Sequence, residues 1–271
     1  MSMMNAPISL TPLDLTAAAV LVLLLAATTA RLGLGLGRQI GVSALRTVLQ
    51  LVLVGLVLET LFAHRRLLWV AAMAAFMLLA AGREVLARQH RRLRGWLGFG
   101  VGTASMFVSS FAVTVFALVA LIGERPWYDP RYAIPLLGML LGNTMTGVAV
   151  GLDRLTHAAW QQRAVLEQRL LLGQDRSEAI SDIRRDAMRA GMIPIINAMA
   201  AAGIVSLPGM MTGQILAGNA PLEAVKYQIL VMFLISTGTG FGTALAVWLA
   251  ARGLFDERHR LRLDRLATGR D

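Results

Sequence analysis

The uncharged stretch AGMIPIINAMAAAGIVSLPGMMTGQILAGNAPL fills residues 190–222. As one continuous helix it would reach about 50 Å, against a bilayer core of about 30 Å. It carries Pro194, Pro208 and Pro221, and its part SLPGMMTGQILAGNAP (206–221) holds three glycines and two prolines. The spacing predicts a helix that breaks near Ser206–Gly209. Irregular backbone at membrane depth is tolerated only where it is buried in protein or lines a wet cavity. The stretch therefore reads as an interrupted span inside a helical bundle.

Six further uncharged runs lie outward from it, at 15–30, 39–58 (interrupted by Arg46), 67–82, 95–123, 132–152 and 227–251. With 190–222 they predict about seven transmembrane helices in an all-α polytopic membrane protein, with residues 1–271 forming a single transmembrane domain. Composition agrees. Hydrophobic residues make up 56% of the chain and charged residues only 15%, where a soluble domain carries about 25% charged residues. The opening MSMMNAPISLTPLDL lacks a basic region, so the first apolar run is expected to be retained as a span.

The net charge of +10 is almost wholly arginine, Lys226 being the only lysine. A basic balance can serve nucleic acid or a membrane surface; arginines flanking apolar runs favour membrane lipid and no nucleic acid. Twenty of the 26 basic residues fall in 31–38, 83–94, 153–189 and the tail from Arg252, whereas the alternate loops hold Arg65, Arg66, Arg125, Arg131 and Lys226. Under the positive-inside rule this predicts seven crossings, with the N-terminus outside and the C-terminus in the cytoplasm. A six-span count would place an arginine-rich segment outside.

Between the fifth and sixth spans, residues 153–189 read as a cytoplasmic helical hairpin. Leu155, Ala159, Leu166 and Leu170 make an apolar stripe on its first helix, Gly173 suits the position that ends a helix, and Asp175 with Glu178 has capping-box spacing for the next.

Enzyme chemistry finds no footing. There is no cysteine, and His64, His90, His157 and His259 are scattered through loops and span ends. Val225 precedes Lys226, so the Gly-Lys of a nucleotide-binding P-loop is absent. No cofactor and no confident metal set is expected on this chain.

Polar residues inside spans are costly and are candidates for function. Arg46 and Gln50 share a face of the second span; Arg46 either anchors that helix at the interface or serves the pathway. In IPLLGMLLGNTMTG (134–147), Gly138 and Gly142 have small-xxx-small spacing, and Asn143 follows. In the sixth run, Asn197, Met210, Met211 and Gln214 flank the break at Pro208–Gly209. Paired methionines suit either a soft metal or plain packing.

The strings RTVLQLVLVGLVL (46–58), IPLLGMLLGNTMTGVAVGLDRL (134–155) and IPIINAMAAAGIVSLPGMMTGQILAGNAPLEAVKYQILVMF (193–233) resemble the permease family of the bacterial Fet-type iron exporter, which includes the plant aluminium-sensitivity permeases. The resemblance runs from about the second span onward. It implies the membrane subunit of an ABC transporter in the bacterial inner membrane, exporting iron or another metal, free or complexed. A separate P-loop subunit would bring ATP and magnesium, with two copies of each chain. Arg46, Gln50, Asn143, Asn197, Met210, Met211 and Gln214 would line the substrate path. Gly138, Gly142, Pro208 and Gly209 would act as hinges. Glu167, Gly173, Asp175 and Glu178 would couple to the ATPase; Glu167 stands six residues before Gly173, the spacing of the coupling loop in ABC importers, although that loop's alanines are missing. The competing expectations are a secondary transporter or channel-like carrier without an ATPase, for which Glu59 is the nearest acidic residue, and a signalling or assembly protein without flux.

Overall fold

The computed structural model describes residues 11–267. The opening ten residues, read above for a targeting segment, and Arg270 of the tail lie outside them. Ten helices, followed by a short 3-10 turn at Leu263–Arg265, are described: α1 (Pro12–Arg31), α2 (Gly37–His64), α3 (Leu67–Ala87), α4 (Gly95–Ile122), α5 (Pro130–Gln161), α6 (Arg163–Leu171), α7 (Arg176–Ala179), α8 (Ser181–Ala201), α9 (Gly209–Leu216) and α10 (Pro221–Gly253). No β-strand forms among the described residues. Six of the helices (α1–α5 and α10) are long and apolar enough to cross a membrane, and the chain is a multi-pass membrane protein.

The 190–222 stretch is not one of these six. It divides between α8, whose first half carries Asp182, Arg184, Arg185, Asp186 and Arg189, and the short α9. The break runs over 202–208. Gly203 sits at φ +83°, where only glycine is comfortable, and its N–H donates to the Ser206 carbonyl at 2.9 Å. Pro208 then takes the extended cap position of α9.

Helix ends follow local chemistry. Thr11 and Asp14 form a capping box at α1, Asp129 caps α5 with Pro130 in the first turn, and left-handed Gly123 closes α4. α4 contains two π-helical segments, Phe107–Phe111 and Ala117–Ile122.

Lipid tails are as apolar as leucine, so helices in a bilayer associate through close packing rather than hydrophobic burial. The core is accordingly built from small residues on α5, α8 and α10. A Cβ on Gly191 would meet the Gly147 carbonyl oxygen and Thr243 Cγ2, both at 2.5 Å; one on Gly147 would meet Thr239, Thr243 and the Gly191 carbonyl within 2.9 Å. Gly151 lies one turn further on, against Thr243, Val247 and Ala187. This register makes α8 antiparallel to α5, and α10 parallel to it. Ser110 on α4 donates to Thr144 on α5 at 3.3 Å, a bond worth about 0.6 kcal/mol in this setting.

The arginine-rich segments gather at one end. Arg94 N–H donates to the Arg265 carbonyl at 2.7 Å and Ala267 N–H to that of Arg92 at 2.8 Å, clasping the tail to the 88–94 loop. The hydroxyl of Thr156 donates to the Arg91 carbonyl at 2.7 Å, and Arg91 lies 4.1 Å over the Trp160 ring. At the opposite end Arg65 pairs with Asp129 at 3.4 Å.

Candidate functional site

α2 carries polar residues at helical spacing, Ser43, Arg46, Thr47 and Gln50, on one face. That face does not seal against the bundle. Besides packing on α1 near Gly37, α2 touches the bundle near the sparsely charged end, where Leu61 is buried and Leu58 packs beside it, and again through an ion pair between Arg46 and Glu84 of α3. Between the two contacts lies a groove of about 700 Å³ walled by α2, α3 and α5. On α5 it extends from Ile134 to Met145, about 16 Å along the helix axis.

Its polar wall consists of Ser43, Arg46, Thr47, Gln50, Glu84 and Arg88. Its apolar wall includes Met73, Met77 and Met145. Two guanidinium groups face one carboxylate, so the groove carries a net positive charge. Arg88 also reaches Thr146 Oγ1 at 3.5 Å. Arg46 therefore neither snorkels alone nor stays without a counter-charge: its side chain is 51% exposed and that of Glu84 27%.

Of the expected path residues, the structure brings Arg46 and Gln50 into this groove and leaves the others elsewhere. Asn143 is exposed and spends its amide on the Met139 carbonyl at 2.8 Å. Asn197 is exposed on α8. Met210 packs against the cluster of Leu61, Ile134 and Leu140, and Met211 and Gln214 are half-buried on α9. Gly138 and Gly142 line the groove: a Cβ on Gly138 would meet Met77 Cε at 3.2 Å, and one on Gly142 would meet nothing within 4 Å. Tight helix approaches lie elsewhere, Gly147, Gly151 and Gly191 among them. A Cβ on Gly209 would also point into open space.

The 153–189 segment begins as the end of α5, whose 32 residues extend about 48 Å and so outrun the bilayer core. The chain bends at Gln162 into α6, turns at Gly173 (φ +91°), and restarts at a complete capping box between Asp175 and Glu178. The N–H groups of Ser177 and Glu178 donate to Asp175 Oδ1 at 2.6 and 2.8 Å. The Glu178 N–H in particular, with help from Ser177, His259 and Arg176, holds the Asp175 carboxyl below its ordinary range. Leu155, Ala159 and Leu166 are buried, as their spacing predicts. Arg154 clasps Asp186 through two bonds of 2.9 and 2.7 Å, and Arg169 holds Asp182 at 3.0 Å. Glu167 is exposed.

Two features escaped the sequence reading. Glu84 lies beyond the uncharged run 67–82, yet α3 continues to Ala87; its i,i+4 spacing from Ala80 and Arg88 is the available signal. Leu171 and Leu172, at the turn, are 87% and 85% exposed. They fall off the stripe set by Leu166 and Leu170, which is why they point outward.

No group of three or more His, Asp or Glu side chains is placed to hold a metal among the described residues. The groove sets two guanidinium groups and one carboxylate beside an apolar, methionine-bearing wall.

No solved structure matches the chain. Among curated proteins it is 39% identical to a UPF0014 membrane protein of Synechocystis over 84% of this chain and 88% of that one. It is 31% identical to the probable iron export permease protein FetB of Escherichia coli, over 84% of this chain and 86% of that one. It is also 31% identical to the protein ALUMINUM SENSITIVE 3 of Arabidopsis thaliana, over 90% and 88%. Residues 12–255 match the model of the family described as Uncharacterised protein family (UPF0014), and these residues contain the groove, the glycine-packed core and the 153–189 segment. With a family match over nearly the whole chain and relatives of this identity, the protein belongs to the UPF0014 family of membrane proteins.

Proposed function

We propose that this protein is the permease subunit of an ABC transporter that exports iron or another metal, driven by ATP hydrolysed with magnesium on a separate P-loop subunit. The similarity to the iron export permease FetB favours that cargo. Two permeases and two ATPases would form the complex in a bacterial inner membrane. Each permease would cross seven times, with its N-terminus outside. The seventh pass is supported by α10 running parallel to α5 while α8 runs against it, which leaves 181–221 to travel from one end of the bundle to the other. The gathering of arginines at one end supports a cytoplasmic C-terminus.

One observation carries the reading. A membrane-level groove and a leucine-tipped hairpin beyond the spans are joined by a single helix, α5, in a chain with no nucleotide-binding loop of its own. Leu171 and Leu172 would seat in an apolar cleft of the ATPase, with Glu167, Gly173, Asp175 and Glu178 around them. Cargo would enter the groove by taking Arg46 from Glu84. A net-positive groove favours a metal carried as an anionic complex, with Met73, Met77 and Met145 along its apolar side. Asn143, Asn197, Met210, Met211 and Gln214 would act in a second conformation, reached by movement at Gly138, Gly142, Pro208 and Gly209.

The test is reconstitution with the P-loop ATPase and measurement of ATP hydrolysis across metals and anionic metal chelates. Stimulation by a metal or its chelate supports the proposal. Gradient-driven flux in vesicles lacking any ATPase would transfer the protein to the secondary-transporter class.

A further inference from the structure

Two cavities meet at Trp248. The first, of about 900 Å³, lies between α4 and α10 beside the π-helical segments of α4; Val108, Phe116, Phe233, Phe241 and Trp248 wall it, and Ser109 and Thr237 are its polar members. The second, of about 370 Å³, opens at the arginine-rich end and is walled by Asp175, Arg176, Arg184, Trp248, Arg252 and His259.

Charge in the second cavity is unbalanced. Among the described residues Arg154, Arg169, Arg260 and Arg262 each hold a carboxylate within 4.0 Å, whereas Arg176, Arg184 and Arg252 hold none. Arg184 makes a neutral bond to Ser177 Oγ at 3.2 Å, and Arg252 lies 4.6 Å over the Trp248 ring. Asp175 is the one acidic wall residue, and its Oδ1 accepts from the two backbone N–H groups that start α7. His259 Nδ1 accepts from the Arg176 N–H at 3.2 Å. Three arginines without a carboxylate partner thus wall one space at the arginine-rich end, at the foot of an apolar trough.

We infer that the Trp248 junction is a binding site for an anionic glycerophospholipid, with its phosphate among Arg176, Arg184 and Arg252 and an acyl chain in the α4–α10 groove. Guanidinium suits phosphate because its planar fork donates two bonds at once, and basic pockets between helices at the membrane surface select anionic headgroups. The groove runs on α10 from Leu230 to Trp248, about 27 Å, longer than an acyl chain of one leaflet. Trp248 lies at the height where an amphipathic ring is at home.

The experiment is native mass spectrometry of the full chain titrated with phosphatidylglycerol or phosphatidylcholine, read as lipid retained. The wild type should retain phosphatidylglycerol in preference. The double variant Arg184→Gln, Arg252→Gln should bind it about a hundredfold more weakly, at about tenfold per lost charged bond. Ala244→Trp, which fills the groove and leaves every arginine in place, should also lose the lipid. Undiminished retention in either variant overturns the site. Displacement of phosphatidylglycerol by equimolar glycerol 3-phosphate overturns it too, because a headgroup alone would then suffice. Loss of a co-purified ATP-binding subunit from the arginine variant, with lipid retention unchanged, would give the pocket to a protein partner instead.

Discussion

The Gly147–Gly191 crossing makes a quantitative demand on stability. In Gly191→Ala the new methyl lands 2.5 Å from the Gly147 carbonyl oxygen and from Thr243 Cγ2. Ordinary contact begins at 3.4 Å, so each neighbour must retreat by about 0.9 Å in an interior that is already close-packed. One neighbour is backbone and the other is a β-branched side chain held by its own helix, so neither gives easily. Overpacking of this kind costs about 3 kcal/mol at the upper end of its usual range. Alanine's better helix propensity returns about 1 kcal/mol, leaving a net loss of about 2 kcal/mol. For a chain of this size that lowers Tm by about 4–8 °C. The control is Gly142→Ala, whose methyl meets nothing within 4 Å and which should be neutral or slightly stabilising. Thermal unfolding of the two variants in the same detergent decides the matter: if Gly191→Ala melts with Gly142→Ala, the tight crossing does not exist.

Three further perturbations separate the parts of the molecule. Arg46→Gln and Glu84→Gln should each alter stimulation of the ATPase by cargo severalfold, and in the double variant the effects should fall short of additive because the two groups share one interaction; full additivity in a double-mutant cycle would dissolve the pair. Leu171→Asp with Leu172→Asp places two charges on residues that touch almost nothing in the monomer, so Tm should stay within about 1 °C of wild type while the ATP-binding subunit is lost on co-purification. In the tail, Arg262 holds the Asp264 carboxyl down from 3.8 to about 2. A depressed carboxyl pKa favours the folded tail above pH 3.8 and gives up that contribution as pH falls towards 2. Hydrogen exchange of residues 260–267 should therefore rise across that interval, and Asp264→Asn should exchange faster at neutral pH with a weaker acid step.

Hydropathy and arginine placement carried most of the architecture, because a bilayer punishes every unpaired charge and backbone group and so writes its spans plainly into the chain. The break after Ala201 was legible from Pro208 and the glycines around it. Its true start at Ala202 was not, since that depends on Gly203 accepting a left-handed turn. The Asp175–Glu178 box formed as its spacing requires, because capping is local. The groove was only half legible. Arg46 and Gln50 announced themselves as polar residues in an apolar run, but their partner Glu84 lies 38 positions from Arg46 on another helix, and no periodicity records such a distance. The close approach at Gly147 rather than Gly138 was hidden for the same reason: both glycines have small-xxx-small spacing, and only the presence of Gly191 opposite one of them distinguishes the two.

α5 is a rod pinned near its middle. From Gly147 to its end at Gln161 is about 21 Å, and from Gly147 back to Ile134 at the head of the groove is about 20 Å. A rod held at such a fulcrum has arms of nearly equal length, so a sideways displacement of the hairpin end returns at the groove wall with almost the same amplitude and the opposite sense. A push of about 3 Å at Gln161 would move Ile134 by about 3 Å the other way, provided the fulcrum does not slip. The absence of side chains at Gly147 and Gly191 then has a mechanical meaning: it lets two backbones bear directly on each other, so that little of the stroke is lost to the give of intervening side chains.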